Sequence, residues 1–362
     1  MTNICFYTSD YGYGHAARDI EIIRKIAESI KANFFIKTDG PYDFMKRSLP
    51  FTKVIRNKND IGVVFNENSV IVDRDKSEKN LCEWINSWDK YILNEKQFCE
   101  TNKIDLIISD IVPQPFLVSK DLGIPSLGIS NFTWHYIFNY LFEDTTYTKM
   151  LEEAYKDAEI ILALPFNEEM NAFNKREISL ISRKVSTYKK QIRKLYGIHD
   201  DEKLIYIGVG KSFNPSFLDQ MALVKQSGTR ILISSHVRIS SANIIRIPED
   251  ETETQNYISM CDMIVSKPGY STVSKAIRSK IPIFLLERCG FKEDELMRNA
   301  IEELSIGKVI SKDFFLSGDW INYLDELDDY RIHFEDLPDR LTCDGTEDVL
   351  RFMSESGYIL ER

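Results

Sequence analysis

The chain has 362 residues, of which 43% are hydrophobic and 12% aromatic; this excludes a disordered protein and is enough for two domains. Its net charge of −10 argues against broad binding to nucleic acid or to an anionic membrane. No apolar run approaches the roughly 20 residues of a membrane-spanning helix, and no signal-peptide pattern is seen before the first predicted strand, so we expect a cytoplasmic protein. The cysteines form no C-x-x-C pair, so we expect reduced thiols.

The chain is predicted to open with a strand, a loop and a helix. Residues 3–8 are apolar, residues 9–15 read SDYGYGH, and residues 16–31 repeat apolar side chains at helical spacing. A second strand at 33–38 completes a Rossmann-like βαβ unit. Ala17 stands where a dinucleotide-binding G-x-G-x-x-G motif would have its third glycine, so that motif is incomplete.

His15 closes this first loop, just after Gly12 and Gly14. Histidine is the side chain most easily tuned to act as a base near neutral pH, and neighbouring glycines let a substrate approach the backbone. A catalytic base and a histidine that only packs or caps at the helix start are both consistent with this position.

Further alternating elements extend the first half of the chain. Short strands are predicted within residues 50–75, and a long helix over residues 76–102 carries Trp84 and Trp88, which are expected in the core or a cleft wall. The remaining predicted strands of this half cover residues 104–109, 124–130 and 158–164.

Asp110 directly follows the predicted strand at 104–109. Doubly wound folds place their ligands at the carboxyl ends of parallel strands, so this carboxylate is a candidate site residue. The alternative is that Asp110 only caps the helix that follows.

Eight basic residues lie between positions 175 and 194 and are opposed only by Glu177. They are Lys175, Arg176, Arg183, Lys184, Lys189, Lys190, Arg193 and Lys194. A solvated surface is the ordinary meaning of such a run. The alternatives are a site for a phosphorylated donor or acceptor, or for an anionic lipid head group, and this run is the only expected route to membrane association.

A second series of strands and helices follows residue 200. Strands are predicted at 203–209, 230–234, 243–247, 262–266, 281–286 and 307–310, with a helix at 215–227. This alternation predicts a second parallel sheet. The tail from residue 311 is acidic and helical, and residues 347–354 are expected to return to the first domain.

A Lys-Pro-Gly-Tyr turn at residues 267–270 precedes one predicted helix of this second half. Ser271 and Thr272 are suited to capping that helix. The free N–H groups and positive dipole end of a helix suit an anion such as a diphosphate, whereas an ordinary βαβ turn without a ligand is the alternative.

Four stretches resemble the GT-B glycosyltransferases, and more closely the glycosyltransferase-like N-terminal half of plant L-arabinokinase and its microbial relatives. They are SDIVPQP at 109–115, GIPSLGISNFTWHYI at 123–137, KPGYSTVSKAIRSKIP at 267–282 and FKEDELMRNA at 291–300. The N-acetylglucosaminyltransferase of peptidoglycan synthesis is a more distant likeness.

This resemblance implies an α/β fold of two Rossmann-like, doubly wound parallel-sheet domains that face a cleft. The acceptor domain would comprise residues 1–165 and a C-terminal helix at about 345–362. Residues 166–200 would form a linker, and residues 201–344 would form the nucleotide-sugar donor domain.

The resemblance also implies roles for individual residues. His15 would be the general base and Asp110 the group that orients it. Gly12, Gly14, Asn131, Trp134 and His135 would lie on the acceptor side, with His135 as the alternative base. The implied donor-binding residues are Gly210, Lys211, Ser212, Ile247, Lys267, Gly269, Tyr270, Ser271, Thr272, Glu293, Asp294 and Glu295.

One position departs from the pattern. In the peptidoglycan enzyme the corresponding T-V-S-E carries a glutamate that binds the donor ribose, whereas this chain reads T-V-S-K and ends that stretch in Lys275. A lysine cannot accept hydrogen bonds from ribose hydroxyls. Ribose recognition is therefore expected to have moved, with Glu287 or Glu293 as candidates, or the donor site is altered.

The resemblance thus implies an inverting glycosyltransferase that moves a sugar from a nucleotide-sugar donor to a hydroxyl acceptor. A UDP-sugar is the expected donor, and the acceptor would be a small molecule, a lipid-linked molecule or a glycan. No metal and no other cofactor is expected, since the chain is taken to offer no D-x-D triplet of the kind that metal-dependent sugar transferases use. A non-catalytic nucleotide-sugar or sugar binding domain and a UDP-sugar 2-epimerase are the alternatives. A kinase phosphate-binding motif is absent, so no kinase activity is expected.

Overall fold

The structure is a computed structural model that describes residues 1–66, 71–168, 170–208, 228–234, 237 and 241–359. The chain divides into two compact units. The first unit comprises Met1–Val64, Val72–Ser182 and Asp339–Arg362, and the second comprises Phe65–Ile71 and Arg183–Pro338. Each unit is built on one parallel sheet, which confirms the predicted fold class of two doubly wound α/β domains.

The strands of each unit form a single sheet, and all their pairings are parallel. The first sheet contains β1 (Thr2–Thr8), β2 (Ala32–Thr38), β3 (Lys53–Arg56), β4 (Leu106–Asp110), β5 (Ser126–Ser130), β6 (Ile160–Ala163) and β7 (Lys175–Glu177). The second contains β8 (Lys203–Gly208), β9 (Thr229–Ile233), β10 (Ile244–Arg246), β11 (Met263–Ser266), β12 (Ile283–Leu286) and β13 (Gly307–Ile310). Their spatial orders are β3-β2-β1-β4-β5-β6-β7 and β10-β9-β8-β11-β12-β13.

Helices connect these strands. They are α1 (Tyr13–Ser29), α2 (Tyr42–Ser48), α3 (Arg74–Asn86), α4 (Trp88–Asn102), α5 (Gln114–Leu122), α6 (Trp134–Phe142), α7 (Thr146–Lys156), α8 (Lys189–Leu195), α9 (Thr254–Ile258), α10 (Tyr270–Ser279), α11 (Lys292–Glu303), α12 (Lys312–Ser317), α13 (Leu327–Arg331), α14 (Asp339–Thr342) and α15 (Gly345–Glu355). Two 3-10 segments cover Asp319–Glu326 and Ile332–Glu335. In the part of the chain that is described, no helix has the length and hydrophobicity to span a membrane.

The first helix illustrates how the sequence sets the local structure. Gly12 precedes α1 with a φ of +88°, a conformation that glycine adopts without steric cost. Ile20, Ile23 and Ile26 then recur on one face and are almost completely buried. The loop and the apolar face together fix where α1 begins and how it lies on the first sheet.

The long helix predicted over residues 76–102 is wrong, because the chain breaks at Ser87 into α3 and α4. The Ser87 hydroxyl donates to the carbonyl of Trp84 at 2.6 Å, which ends α3 locally. Trp84 and Trp88 are buried and pack edge to face with their ring centroids 5.5 Å apart. Both tryptophans therefore belong to the core.

The region predicted as a linker, residues 166–200, divides between the units instead. Residues 175–177 form β7, whose backbone pairs with residues 161–163 of β6 and covers an edge that would otherwise be open. The boundary between the units falls after Ser182. Of the strands predicted within residues 50–75, only β3 forms a regular strand among the described residues; the rest of that region contributes isolated bridges.

The last helix, α15, packs against α1 in the first unit. Asp344 caps it by accepting a hydrogen bond from the N–H of Thr346 at 3.0 Å. An ion pair joins Lys25 to Glu347, so the C-terminal segment is held to the first unit by charge as well as by packing.

The described residues of the Phe65–Ile71 segment belong to the second unit. Ile71 forms a parallel bridge with Cys289, and the ring of Phe65 packs 6.4 Å from that of Phe291. The helix predicted at residues 215–227 lies outside the described residues.

Candidate active site

The strand order of the first sheet reverses between β1 and β4, which pair directly with Thr8 opposite Asp110. Doubly wound folds bind ligands at the carboxyl ends of strands at such a point. His15 lies close by, in the first turn of α1. Its Nδ1 atom is 2.9 Å from Oδ1 of Asp110, and both side chains are buried. The two residues singled out from the sequence are therefore in hydrogen-bonding contact.

The alternative role of Asp110 as a helix cap is wrong. The helix that follows, α5, begins at Gln114 after Pro113, and no side chain caps it. The carboxylate of Asp110 contacts side chains of α1 instead. Its position at the end of β4 therefore serves the buried cluster around His15.

Arg18 is a member of this cluster that sequence reasoning missed. Its Nε donates to Oδ2 of Asp110 at 2.5 Å, while its Nη2 contacts Oδ1 of the same carboxylate. Its Nη1 donates to the side-chain oxygen of Asn131 at 2.9 Å, and Nη2 also lies 2.8 Å from Nδ1 of His15. The available signal was spacing, since Arg18 follows His15 by one helical turn and shares its face of α1.

Two buried aspartates in this cluster differ in charge. Burial opposes ionisation of Asp110, but the charges of Arg18 and His15 lower its pKa to about 2. Burial and then the Asp110 charge raise the pKa of Asp19 well above its usual value, which favours its neutral form. The hydroxyl of Thr8 donates to Asp19 at 2.6 Å. These shifts favour a charged Asp110 beside a neutral Asp19.

Two further aspartates, also missed from the sequence, hold the loop between β1 and α1. Asp10 accepts hydrogen bonds from the N–H groups of Asp39 at 2.6 Å and Gly40 at 3.0 Å. Asp60 accepts from the N–H of Asp10 and from Nε1 of Trp134, each at 2.8 Å. Burial, followed by the charge of Asp10, raises the pKa of Asp60 to about 7. No local pattern in the sequence connects these partners.

Trp134 does not fit the predicted acceptor-side role. It is fully buried and packs 5.6 Å from both Phe132 and Phe138, ring centroid to ring centroid. Its indole N–H is used by Asp60. A side chain without exposed surface cannot line a ligand site, so Trp134 supports the cluster from within the core.

The other acceptor-side candidates differ in their exposure and in their contacts. Gly12 is exposed and Gly14 is half-buried at the start of α1. Asn131 is buried and holds Arg18. His135 is half-buried, its ring packs edge-on against Phe173 at 6.4 Å, and burial lowers its pKa. No described carboxylate hydrogen-bonds to its ring, so His135 lacks the orienting partner that His15 has.

In the second unit, α10 begins directly after the turn at residues 267–269. Gly269 precedes it with an extended backbone, and no side chain caps the helix. Ser271 and Thr272 lie inside the first turn, so the predicted capping role is wrong. Tyr270 is buried, and its N–H lies 3.5 Å from Oε1 of Glu293. A helix start with main-chain N–H donors and no side-chain cap suits an anion.

Two lysines flank this helix start. Burial and then the charge of Arg183 lower the pKa of Lys275 to about 8, and its Nζ donates to the Ser271 hydroxyl at 3.1 Å. Burial and then the charge of Arg288 lower the pKa of Lys267. Neither ammonium forms an ion pair with a described carboxylate. Partly buried cations without an ion-pair partner are costly, and a bound anion would reduce that cost.

Arg288, which sequence reasoning missed, forms a bidentate ion pair with Asp294. Its Nε and Nη2 each donate to one carboxylate oxygen at 2.7 Å, and the ring of Phe65 lies 5.0 Å from the guanidinium. Asp294 is fully buried, which raises its pKa to about 6. Both oxygens predicted to bind donor hydroxyls are therefore already engaged.

The remaining donor candidates vary in their surroundings. Glu293 is half-buried beside Tyr270, Glu295 pairs with Lys292, and Ile247 is buried in the core. Glu287, the other candidate for ribose recognition, lies 3.4 Å from Arg298. The predicted donor residues Gly210, Lys211 and Ser212 lie outside the described residues.

Among the described residues, five of the eight basic residues at 175–194 form ion pairs, four of them with acids from other parts of the chain. Ion pairs join Lys175 to Glu177, Arg176 to Glu355, Arg183 to Glu253, and both Lys189 and Arg193 to Asp262. The ordinary reading of this run as a solvated, ion-paired surface accounts for these contacts.

A D-x-D triplet does occur in the chain, at Asp73-Arg74-Asp75, so the sequence does not lack this motif. Asp73 caps α3 by accepting a hydrogen bond from the N–H of Lys76 at 3.1 Å, and it pairs with the ammonium of the same residue at 3.1 Å. Asp75 lies in the first turn of α3. These contacts give the triplet a role in starting a helix.

Comparisons with known proteins agree with this architecture. No family model matches the chain. The chain is 26% identical over 330 residues to L-arabinokinase of Arabidopsis thaliana, an alignment that covers 88% of this chain and 31% of that protein. The chain thus spans about a third of the length of this curated relative.

Solved structures with the same fold include three glycosyltransferases. The calicheamicin glycosyltransferase CalG4 has a TM-score of 0.69 at 13% identity, over 98% of this chain and 99% of that one. The spinosyn rhamnosyltransferase SpnG, complexed with thymidine diphosphate, has a TM-score of 0.70 at 11% identity, over 98% and 100%. UGT2 of Phytolacca americana, complexed with UDP-2-fluoro-glucose and pterostilbene, has a TM-score of 0.67 at 12% identity, over 98% and 99%. The resemblance to GT-B glycosyltransferases and to L-arabinokinase is confirmed.

Proposed function

We propose that this protein is an inverting glycosyltransferase that moves a sugar from a nucleotide-sugar to a hydroxyl acceptor without a metal ion. The observation that carries the proposal is the buried contact between His15 and Asp110, 2.9 Å apart at the switch point of the first sheet. A base held by an orienting carboxylate is the arrangement needed to activate a hydroxyl nucleophile. The fold, shared with glycosyltransferases of known structure, supports the same class of reaction.

The proposed chemistry is a single displacement. With its Nδ1–H donated to Asp110, His15 accepts the proton of the acceptor hydroxyl on Nε2. The hydroxyl oxygen bonds to the anomeric carbon while the bond from that carbon to the diphosphate oxygen breaks on the opposite face. The products are the inverted glycoside, the nucleoside diphosphate and a protonated base. A positioned base of this kind contributes about 10² to 10⁴ in rate.

The second unit supplies the groups proposed to stabilise the leaving diphosphate. The start of α10 offers the positive end of a helix dipole, and the ammonium groups of Lys267 and Lys275 form no ion pair with a described carboxylate. Positive charge and fixed N–H dipoles stabilise the negative charge that develops on the leaving group. Lys275 stands where the peptidoglycan enzyme carries its ribose-binding glutamate, so we propose that it serves the phosphates.

A non-catalytic nucleotide-sugar binding domain is the second candidate. Two observations favour it: Arg288 engages both oxygens of Asp294, and Lys275 cannot accept hydrogen bonds from a ribose. The intact His15–Asp110 contact favours catalysis. The two candidates differ in whether turnover occurs and whether it depends on His15.

The deciding experiment measures binding and turnover on the same preparations. Thermal unfolding is followed with UDP-, GDP-, dTDP-, ADP- and CDP-sugars for the wild type, for His15→Ala and for His199→Ala, an exposed histidine of the second unit used as the matched control. We expect one nucleotide to stabilise all three proteins alike. With that donor, release of nucleoside diphosphate should fall about 10² to 10⁴-fold in His15→Ala alone.

The outcomes separate the candidates. Turnover in His15→Ala within about twofold of wild type would remove His15 as the base. Stabilisation of all three proteins without turnover on any acceptor would favour the binding domain. The anomeric configuration of the product, determined by NMR, tests inversion, and turnover in the presence of EDTA tests metal independence.

A further inference from the structure

We propose that Arg18 is a positioning residue that fixes the Asp110 carboxylate beside His15 and offsets its charge, so that His15 stays a neutral base. This rests on the proposed function for its catalytic consequence, but the positioning itself is a property of the buried cluster. Arg18 is 3% exposed and touches the orienter Asp110, the base His15 and the support Asn131. It is therefore placed to act through the pair and not on the substrate.

The Nδ1 atom of His15 has two close neighbours with opposite demands. Oδ1 of the ionised Asp110 lies 2.9 Å from Nδ1 and can accept a hydrogen bond but cannot donate one. Nη2 of Arg18 lies 2.8 Å from Nδ1 and can donate a hydrogen bond but cannot accept one. With a proton, Nδ1 can donate to Asp110; without one, Nδ1 can accept from Arg18. The two neighbours thus compete over the tautomer of the imidazole.

Other described contacts of Arg18 fix the Asp110 carboxylate beside His15. Nε and Nη2 already donate to the two oxygens of Asp110, and Nη1 donates to Asn131, so Arg18 has acceptors without His15. The planar guanidinium then holds the carboxylate in a fixed orientation. Under the proposed function, Nδ1–H donates to this fixed carboxylate, and Nε2 acts as the base.

Arg18 also sets the charge that His15 experiences. The described groups in contact with the imidazole are the ionised Asp110, the cation of Arg18 and the ring of Phe132. Asp19, whose neutral form is favoured, interacts with Asp110. With Arg18 present, the carboxylate is neutralised by the guanidinium. Without it, an uncompensated carboxylate would favour the doubly protonated imidazolium, which is not a base.

The test is 15N NMR of histidine-labelled protein in the wild type, Arg18→Gln and Arg18→Lys. The chain has five histidines, so His15→Ala assigns the His15 signal directly. In the wild type we expect Nδ1 protonated and Nε2 bare near neutral pH. In Arg18→Gln we expect both nitrogens to be protonated near neutral pH. The pH below which kcat falls should then rise by about one pH unit.

Arg18→Lys separates charge from geometry. The ammonium keeps the positive charge, so the NMR titration of His15 should stay near that of the wild type. It cannot form the planar fork, so kcat should fall about tenfold or more while KM changes little. Full recovery of kcat by lysine would show that charge alone suffices and would overturn the positioning role.

The NMR spectra test the role of Arg18 independently of glycosyl transfer. If His15 titrates identically in the wild type and both variants, Arg18 does not act through the pair and the inference is wrong. If the spectra change as expected but the wild type transfers no sugar, the positioning stands and the proposed function fails. Should Arg18→Gln not fold, Asn131→Ala removes the support of Nη1 and should move the His15 signals in the direction expected for Arg18→Gln.

Discussion

Asp19 and Asp110 are buried aspartates whose charges differ because of their neighbours. Asp110 has the guanidinium of Arg18 on both oxygens, which lowers its pKa to about 2 in spite of burial. Asp19 has only the Thr8 hydroxyl on one oxygen, no described partner on the other, and the negative charge of Asp110 nearby. A proton on the second oxygen of Asp19 would give it a hydrogen to donate toward Asp110.

The same Asp→Asn change should therefore affect turnover to very different extents at these two positions. In Asp19→Asn, the new amide would accept from Thr8 and donate toward Asp110 as the neutral acid does, so we expect turnover to stay within about threefold of the wild type. Asp110→Asn removes the charge that orients His15 and leaves Arg18 uncompensated, so we expect a loss of about 10² to 10⁴ in kcat. Steady-state kinetics on the matched pair is the measurement. A large loss in Asp19→Asn would mean that Asp19 is ionised.

At the residue scale, what the sequence could reveal depended on local spacing. His15 and Asp110 could be found because each follows a predicted strand, where ligands bind in this class of fold. Arg18 was visible in principle, one turn after His15. Asp60 was not, because its partner Trp134 lies 74 residues away in the chain and only the folded sheet brings them together.

Glu168 connects two elements of the first unit. Its Oε1 accepts from both the N–H and the hydroxyl of Thr133, the residue that caps α6, at 3.0 and 2.7 Å. Its own N–H donates to the carbonyl of Asn131 at 3.1 Å. Burial raises its pKa to about 8. The segment that follows β6 is thus tied to the start of α6 through an acid that stays protonated at neutral pH.

This protonation should make stability depend on pH. An unfolded glutamate releases its proton at about pH 4.3, whereas folded Glu168 keeps it to about pH 8, so the folded state binds more protons between these values. Stability should then fall as pH rises through this window, by at most about 1.4 kcal/mol per pH unit. Glu168→Gln keeps the accepting oxygen and cannot ionise, so it should lack this component.

Denaturant unfolding of the wild type and Glu168→Gln across this window measures the effect. The variant should gain stability relative to the wild type as pH rises, and the other titrating groups cancel in the difference. A difference that stays constant with pH would show that Glu168 is ionised in the folded protein.

At the element scale, periodicity predicted the alternation of strands and helices but not all boundaries. At the break, the Ser87 hydroxyl bonds to the carbonyl of Trp84, and the helical pattern continues on either side of it. The strand β7 reads as a polar Lys-Arg-Glu stretch because it lies at a sheet edge, so it lacks the apolar signature of a buried strand. Edge strands are stabilised by pairing that the sequence does not display.

At the scale of the whole molecule, net charge and local charge act in opposite directions. The chain carries a net charge of −10, which repels a nucleotide-sugar at long range. Under the proposed function, binding must therefore come from cations close to the ligand. Lys267 and Lys275 are the candidates at the start of α10, and burial has lowered the pKa of both.

Nucleoside diphosphate binding should accordingly weaken as pH rises above about 8, where Lys275 of the free protein loses its charge. Lys275→Met should bind about tenfold more weakly near neutral pH and lose this pH dependence, because no charge remains to be titrated. Lys275→Arg should keep binding at higher pH, since arginine stays protonated. Lys280→Met is the control, because Lys280 is an exposed residue at the other end of α10 that pairs with Glu335. Calorimetric titration with the nucleoside diphosphate found in the donor screen measures the affinities. If binding depended on pH equally in the wild type and in Lys275→Met, the phosphates would not be bound by Lys275.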